Sequence, residues 1–196
     1  MLDIAKRADE FFMGTSPIHQ AMARLTKTLG EMNIPFAIAG AMAANAHGHH
    51  RTTADIDILI SRENLQRFKE AHLGRGWVDK FEGSKNFRDA VAGVNIDTLL
   101  VGDFPGDGLP KPIAFPDPKS IESTMVEGIP YITLPTLLEL KLTSGMTAAH
   151  RPRDLDDVIQ LIRVNQLAED FGKQLNPYVA DKYRELWKLA QVVEDY

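Results

Sequence analysis

The sequence predicts an α+β fold: a small mixed β-sheet with flanking helices and a helical C-terminal half. Three features carry this. Apolar residues recur at spacings of three and four over residues 17–32, acidic and branched apolar residues alternate over 55–60, and the pattern from Asp154 onward is helical almost to Tyr196.

The elements follow in order. Ile18, Met22, Leu25 and Leu29 make one apolar stripe, and Pro17 suits the first turn of their helix. A short β-friendly run, 36–39, ends at Gly40, and the small residues after it predict a short helix closing at Gly48. Residues 55–60 read as a strand, after which Ser61 opens a helix over 62–74. Residues 86–92 and 94–101 read as two strands joined tightly at Gly93. Six glycines and prolines within residues 102–112 exclude any regular element there, and a loop of that length is either functional or a plain surface excursion. A short helix is expected over 120–126 and a strand over 128–134, with Pro135 placed to start the helix that carries Leu137, Leu138, Leu140, Lys141 and Leu142. Interruptions near Asn165 and at Asn176-Pro177 divide the rest. The expected organisation is a catalytic unit over 1–134 with a helical half, 135–196, packed on it.

Length and composition set the bounds. With 196 residues, 44% of them hydrophobic, the chain can bury one core but not two large ones. A net charge of -5 argues against tight sequence-independent binding to long nucleic acid and leaves room only for a local basic site. The absence of cysteine removes disulfides, thiolate zinc sites and cysteine nucleophiles, and fits a reducing compartment. Charged residues break up the N-terminal stretch, and the least charged segment, 33–46, is too short for a membrane span. The expectation is a soluble, cytoplasmic protein without a membrane partner.

The chemistry is concentrated in residues 37–61, AIAGAMAANAHGHHRTTADIDILIS. In a strand, Asp55 and Asp57 project to one side while Ile56, Ile58 and Ile60 project to the other. Two aspartates two residues apart in a strand repel unless a cation lies between them. Asp97, in VNIDTLLV, shares a face with Asn95 and Leu99, opposite Val94, Ile96, Thr98 and Leu100. Three carboxylates on adjacent strands make an oxygen-only ligand set suited to Mg²⁺, as in two-metal phosphoryl or nucleotidyl transfer. The plainer alternative has Asp55 capping the strand entrance and the other two facing solvent. Gly40, between strand and helix, is either a place for a phosphate to approach backbone N–H groups or an ordinary tight turn.

Taken together, the Gly40 strand end, the short helix, the HG-x-x-R-T-T-A-D-I-D run and the later Asp97 strand resemble the minimal nucleotidyltransferase fold. The resemblance is closest to the bacterial group that includes AbiEii-type abortive-infection toxins. It extends to GIPYITLPTLLELKLTSGM and RPRDLDDVIQLI, and covers roughly residues 36–162. It implies that Asp55 and Asp57 ligate Mg²⁺ and that Asp97 completes the site and helps deprotonate an attacking hydroxyl. Gly40 and Ala41 would cradle the triphosphate of an NTP such as ATP, with Lys141 approaching a phosphate from the helical half. The acceptor would be a tRNA end, a protein or a small molecule, chosen in part by residues 102–112, and a cognate antitoxin is a possible partner. The family's phosphate loop usually carries Gly-Ser or Gly-Gly where this chain has Gly40-Ala41. That departure leaves open a nucleotide- or partner-binding protein of the same fold with little or no turnover.

Other groups admit two readings each. His47, His49 and His50 are poorly spaced for one zinc ion and are expected, with Arg51, to rim the site near the phosphates, although Arg51 also suits a surface salt bridge. Asp154, Asp156 and Asp157 fit either a second metal cluster or the first turn of a helix, where the macrodipole favours acids. Lys141 either meets a phosphate or snorkels out of the core. Trp77, expected at a helix end, and Trp187, expected inside a helix, read as packing residues. Arg62, Arg67, Lys69 and Arg75 allow an RNA acceptor or a solvated helix face.

Overall fold

Alternation over residues 55–60 sets the centre of the sheet. In the computed structural model, which describes residues 9–192, strand β2 (Asp55–Ile60) buries Ile56, Ile58 and Ile60 completely and leaves Asp55 and Asp57 partly accessible on the opposite face. Strand β5 (Asn95–Leu100) lies parallel to it in a register that places Asp57 beside Asp97. On the other side β1 (Ala37–Ile38) runs antiparallel to β2. The sheet is completed by β3 (Trp77–Asp79), β4 (Phe87–Asp89), β6 (Ser123–Val126) and β7 (Ile129–Ile132), giving seven strands in the order β3-β4-β5-β2-β1-β7-β6. Parallel and antiparallel pairs are mixed, as expected.

The helices fall close to their sequence signals. Helix α1 (Pro17–Glu31) starts on its proline and buries Ile18, Ala21, Met22, Leu25 and Leu29. Gly40–Ala46 forms the short α2, and Ser61 caps α3 (Arg62–His72) by accepting from the Asn64 N–H. The C-terminal half consists of α4 (Leu134–Thr147), α5 (Pro152–Val164), a 3₁₀ segment (Glu169–Gln174) and α6 (Pro177–Ala190). Its apolar residues join the same buried cluster as the strands, from Ile38 and Ile58 through Leu138 and Leu161 to Tyr183. Gly145 lets α4 and α5 approach closely, since a Cβ there would stand 2.5 Å from Leu155. Among the described residues no helix is long and apolar enough to cross a membrane.

Two local expectations are corrected. Residues 120–126 do not form a helix: Ser123–Val126 is a strand that pairs with β7 through Glu127 and Gly128. Both turn residues have positive φ, 50° and 80°, the backbone a tight two-residue hairpin requires. Trp77 does not end a helix but begins β3, where it packs edge-on against Phe68 and Phe87 with ring centroids 5.5 and 5.7 Å away. Trp187 packs as expected, its indole N–H donating to the Leu167 carbonyl at 2.8 Å.

Candidate active site

The site forms where β1 gives way to α2 beside the carboxylate face of β2. The Ala39 N–H donates to the Asp57 carbonyl at 2.9 Å, carrying the pairing one residue past β1 before the chain turns at Gly40. Gly40 has φ +58°, and a Cβ there would stand 2.6 Å from Asp57 Cγ and closer still to Oδ2. Glycine is needed twice over, for the backbone angle and for the room that the Asp57 carboxyl occupies.

Asp55, Asp57 and Asp97 line one cleft of about 640 Å³. Neighbours steer two of them: Thr53 Oγ1 donates to Asp55 Oδ1 at 2.7 Å, and Asn86 Nδ2 donates to Asp97 Oδ1 at 2.7 Å. Asn86 also accepts from the Thr98 N–H at 2.9 Å, so it holds both the side chain of Asp97 and the strand beneath it. Burial, then the negative charges of Asp55 and Asp97, push the Asp57 carboxyl up to about 7, while Lys141 and Arg151 pull the other way. Among the described residues no three His, Cys, Asp or Glu side chains are gathered at metal-binding spacing as they stand. The aspartates therefore share a cleft and repel one another, with Thr53 and Asn86 each engaging one of them.

The facing wall is cationic, with Arg51, Lys141, Arg151 and Arg153 lining the same cleft. Lys141 does not snorkel: it is buried, and its ammonium is 2.5 Å from Asp157 Oδ2 and 3.1 Å from Asp154 Oδ1. Asp157, in the first turns of α5, does more than answer a helix dipole. It is fully buried and also takes the Arg51 guanidinium, at 2.8 and 2.9 Å. Burial alone would raise its carboxyl, but Lys141 and Arg51 outweigh burial and hold it below the usual carboxylate range. Leu99, Phe115, Ile132, Leu137 and Leu140 give the cleft an apolar lining, and the N-terminal end of α2 contributes Gly40 and Ala41.

The histidine rim is a further correction. His47 donates through Nε2 to the Ile132 carbonyl at 2.8 Å, His49 lies 3.3 Å from Asp157, and none of His47, His49 and His50 lines the cleft. His150 does. The long loop over 102–112 is irregular and reaches the cleft at Pro105. Gly106 seats it on α4, because a Cβ there would meet Thr147 Oγ1 and lie 3.1 Å from the Ser144 carbonyl. The basic face of α3 is largely paired within the protein: Arg62 with Asp103, and Lys69 with Asp79 and the Ser84 carbonyl.

Sequence reasoning missed Asn86, Thr53 and the ion-pairing role of Asp157. Asp157 carries a signal, since it sits in register with Val158, Leu161 and Ile162 on the buried stripe of α5. An acid on an apolar stripe needs a buried cationic partner. Thr53 reaches Asp55 only two residues along the chain, a local contact within TTADID, whereas Asn86 reaches Asp97 from just ahead of the neighbouring strand β4 and has no local signature.

The fold is of the nucleotidyltransferase-like α+β kind. No protein-family model matches the chain, and no curated protein matches it. Among solved structures it is similar to ANT(2")-Ia, crystallised in complex with adenylyl-2"-tobramycin. That likeness has a TM-score of 0.51 at 10% identity, covering 88% of this chain and 98% of that one. Two Helicobacter pylori proteins are more distantly similar: one named for nucleotidyltransferase activity (TM-score 0.47, 16% identity, 88% and 91% covered) and JHP933 (0.41, 16%, 88% and 88%).

Proposed function

We propose that this chain is a Mg²⁺-dependent nucleotidyltransferase acting in the cytoplasm. It would transfer a nucleoside monophosphate from an NTP, such as ATP, to an acceptor hydroxyl on RNA, a protein or a small molecule. The observation that carries the proposal is the placing of Asp55, Asp57 and Asp97 on one wall of a cleft, beside a glycine that leaves room for Asp57 and opposite Arg51, Lys141 and Arg151. The fold likeness to ANT(2")-Ia supports this reaction class and leaves the acceptor open.

The residues suit the metal. The donors are hard oxygens on neighbouring strands, and the charge repulsion that raises Asp57 is what a divalent cation would relieve. Asp55, Asp57 and Asp97 would hold Mg²⁺, which when bound supplies neutralisation of phosphate charge and activation of the attacking hydroxyl. The chain's own groups do the rest. Asp97 takes the proton from the acceptor hydroxyl as its oxygen bonds to the α-phosphorus. The bond from that phosphorus to the β-phosphate oxygen breaks, and its electrons leave with pyrophosphate. Gly40 and Ala41 present backbone to the phosphates, and Arg51 and Lys141 offset their charge.

Ala41 favours a second reading, a protein of the same fold that binds nucleotide or a partner such as the antitoxin of a toxin–antitoxin pair, with little or no turnover. Incubation with labelled NTPs, total tRNA and total protein tests the first reading and identifies donor and acceptor together. Calorimetry with nonhydrolysable ATP and Mg²⁺ separates the two: binding without pyrophosphate release supports the second.

A further inference from the structure

Behind the cationic wall, one carboxylate gathers groups from two other parts of the chain. Asp157 of α5 meets Lys141 of α4 at 2.5 Å, the Arg51 guanidinium at 2.8 and 2.9 Å, and His49 at 3.3 Å. Lys141 is shared with Asp154, which Arg151 approaches to 3.1 Å. Arg51 and Lys141 line the cleft, whereas Asp157 lies behind them.

Arg51 belongs to the irregular segment between α2 and β2, yet it is fixed at both ends. Asn45 clamps its backbone, accepting from the Arg51 N–H at 2.7 Å and donating to the Arg51 carbonyl at 2.9 Å. Asp157 Oδ2 accepts from Arg51 Nη2 at 2.9 Å, and its Oδ1 lies 2.8 Å from Nε as an ion-pair contact without a hydrogen bond. A guanidinium has five N–H donors; Asp157 takes one on Nη2, and Arg51 lines the cleft where an anion would meet others. Lys141, Arg51 and Arg151 face two carboxylates, Asp154 and Asp157, which leaves surplus positive charge at this wall.

We propose that Asp157 is a positioning residue for nucleotide binding: it holds Arg51 at the cleft wall so that the guanidinium meets the phosphate chain already oriented. The proposal rests on the nucleotidyl-transfer reading of the same cleft. Pre-setting a long side chain removes an ordering cost from binding. Lysine at position 51 keeps the charge but loses the fork.

The test is calorimetry of the full chain with Mg²⁺ and ATP, GTP, CTP or UTP in turn, alongside thermal melts. For the nucleotide the wild type binds, Asp157→Asn and Arg51→Lys should each raise Kd about tenfold, and the double variant should be no weaker than either single, because one interaction is lost in all three. Arg24→Met removes the partner of the buried Asp89 carboxylate on another part of the sheet, and should lower Tm without changing Kd. A Kd unchanged in Asp157→Asn, or losses that multiply in the double variant, would overturn the proposal and leave Asp157 a structural tie. If Asp157→Asn does not fold, Arg51→Lys decides: a raised Kd supports the proposal and an unchanged one overturns it. A wild type that binds none of the nucleotides overturns the proposal and the parent reading together, which sets that outcome apart from failure of the positioning role alone.

Discussion

Gly40 and Asp57 claim the same volume: the space a side chain would take at position 40 is filled by the Asp57 carboxyl, its Cγ 2.6 Å from where a Cβ would stand. The relationship ties the turn between β1 and α2 to the carboxylates on β2, since any side chain at position 40 would displace Asp57. It also explains why a residue with φ +58° follows a fully buried strand.

Gly40→Ala should therefore injure the site more than the fold. A positive φ and a clash with one side chain together cost about 1–3 kcal/mol of stability, which a chemical melt would read. If the cleft carries out the proposed transfer, displacement of Asp57 should lower it by about a hundredfold or more, because positioning dominates such a reaction. Wild-type turnover in the Gly40→Ala variant would show that Asp57 need not sit where it does.

The raised Asp57 carboxyl predicts how stability varies with pH. The folded protein holds this proton up to about pH 7, whereas the unfolded chain releases it near the ordinary carboxylate value of 3.8. Between those values the folded state binds more protons, so this group's contribution to stability falls as pH rises through the window and is lost above about 7. Asp57→Asn should accordingly raise the metal-free Tm at pH 8, by the equivalent of about 2–4 kcal/mol, and change little at pH 4. Mg²⁺ should raise the wild-type Tm at pH 8 more than at pH 5, and should not do so for Asp57→Asn. Melts at the three pH values, with and without Mg²⁺, check all of this.

Asn86 should matter to turnover beyond its effect on stability. Alanine there removes the 2.7 Å donor to Asp97 and the acceptor for the Thr98 N–H. The loss of two partly buried hydrogen bonds is worth about 1–3 kcal/mol. With Asp97 free to swing, kcat should fall about tenfold with KM for the nucleotide little changed, the pattern of an interaction that matters in the transition state. An equal rise in KM with kcat intact would place Asn86 in binding.

How much of this is legible in the sequence depends on the range of the forces involved. The alternation Asp55-Ile56-Asp57-Ile58 is readable because a strand's period of two is a local property, and it puts the acids on one face before any neighbour is known. That Asp97 stands beside Asp57 follows from the parallel pairing of β2 with β5, which no local pattern fixes. The strand at Ser123–Val126 reads as a helix because its turn uses Glu127, a residue without a strong turn preference, at φ 50°. Arg51 and Lys141 stand out in the sequence as single charges, but their common partner lies more than a hundred residues from Arg51. Only the packing of α5 on α4 and on the segment before β2 brings the three together.

The most direct test is pyrophosphate release by the full chain with Mg²⁺, each NTP and a cell extract as acceptor source, compared with Asp57→Asn and Asp97→Asn purified in parallel and shown by melting to be folded. Metal-assisted nucleotidyl transfer at these carboxylates predicts Mg²⁺-dependent release by the wild type and less than about 1% of that rate in either variant. Release that persists at the wild-type rate in folded Asp57→Asn and Asp97→Asn would contradict it.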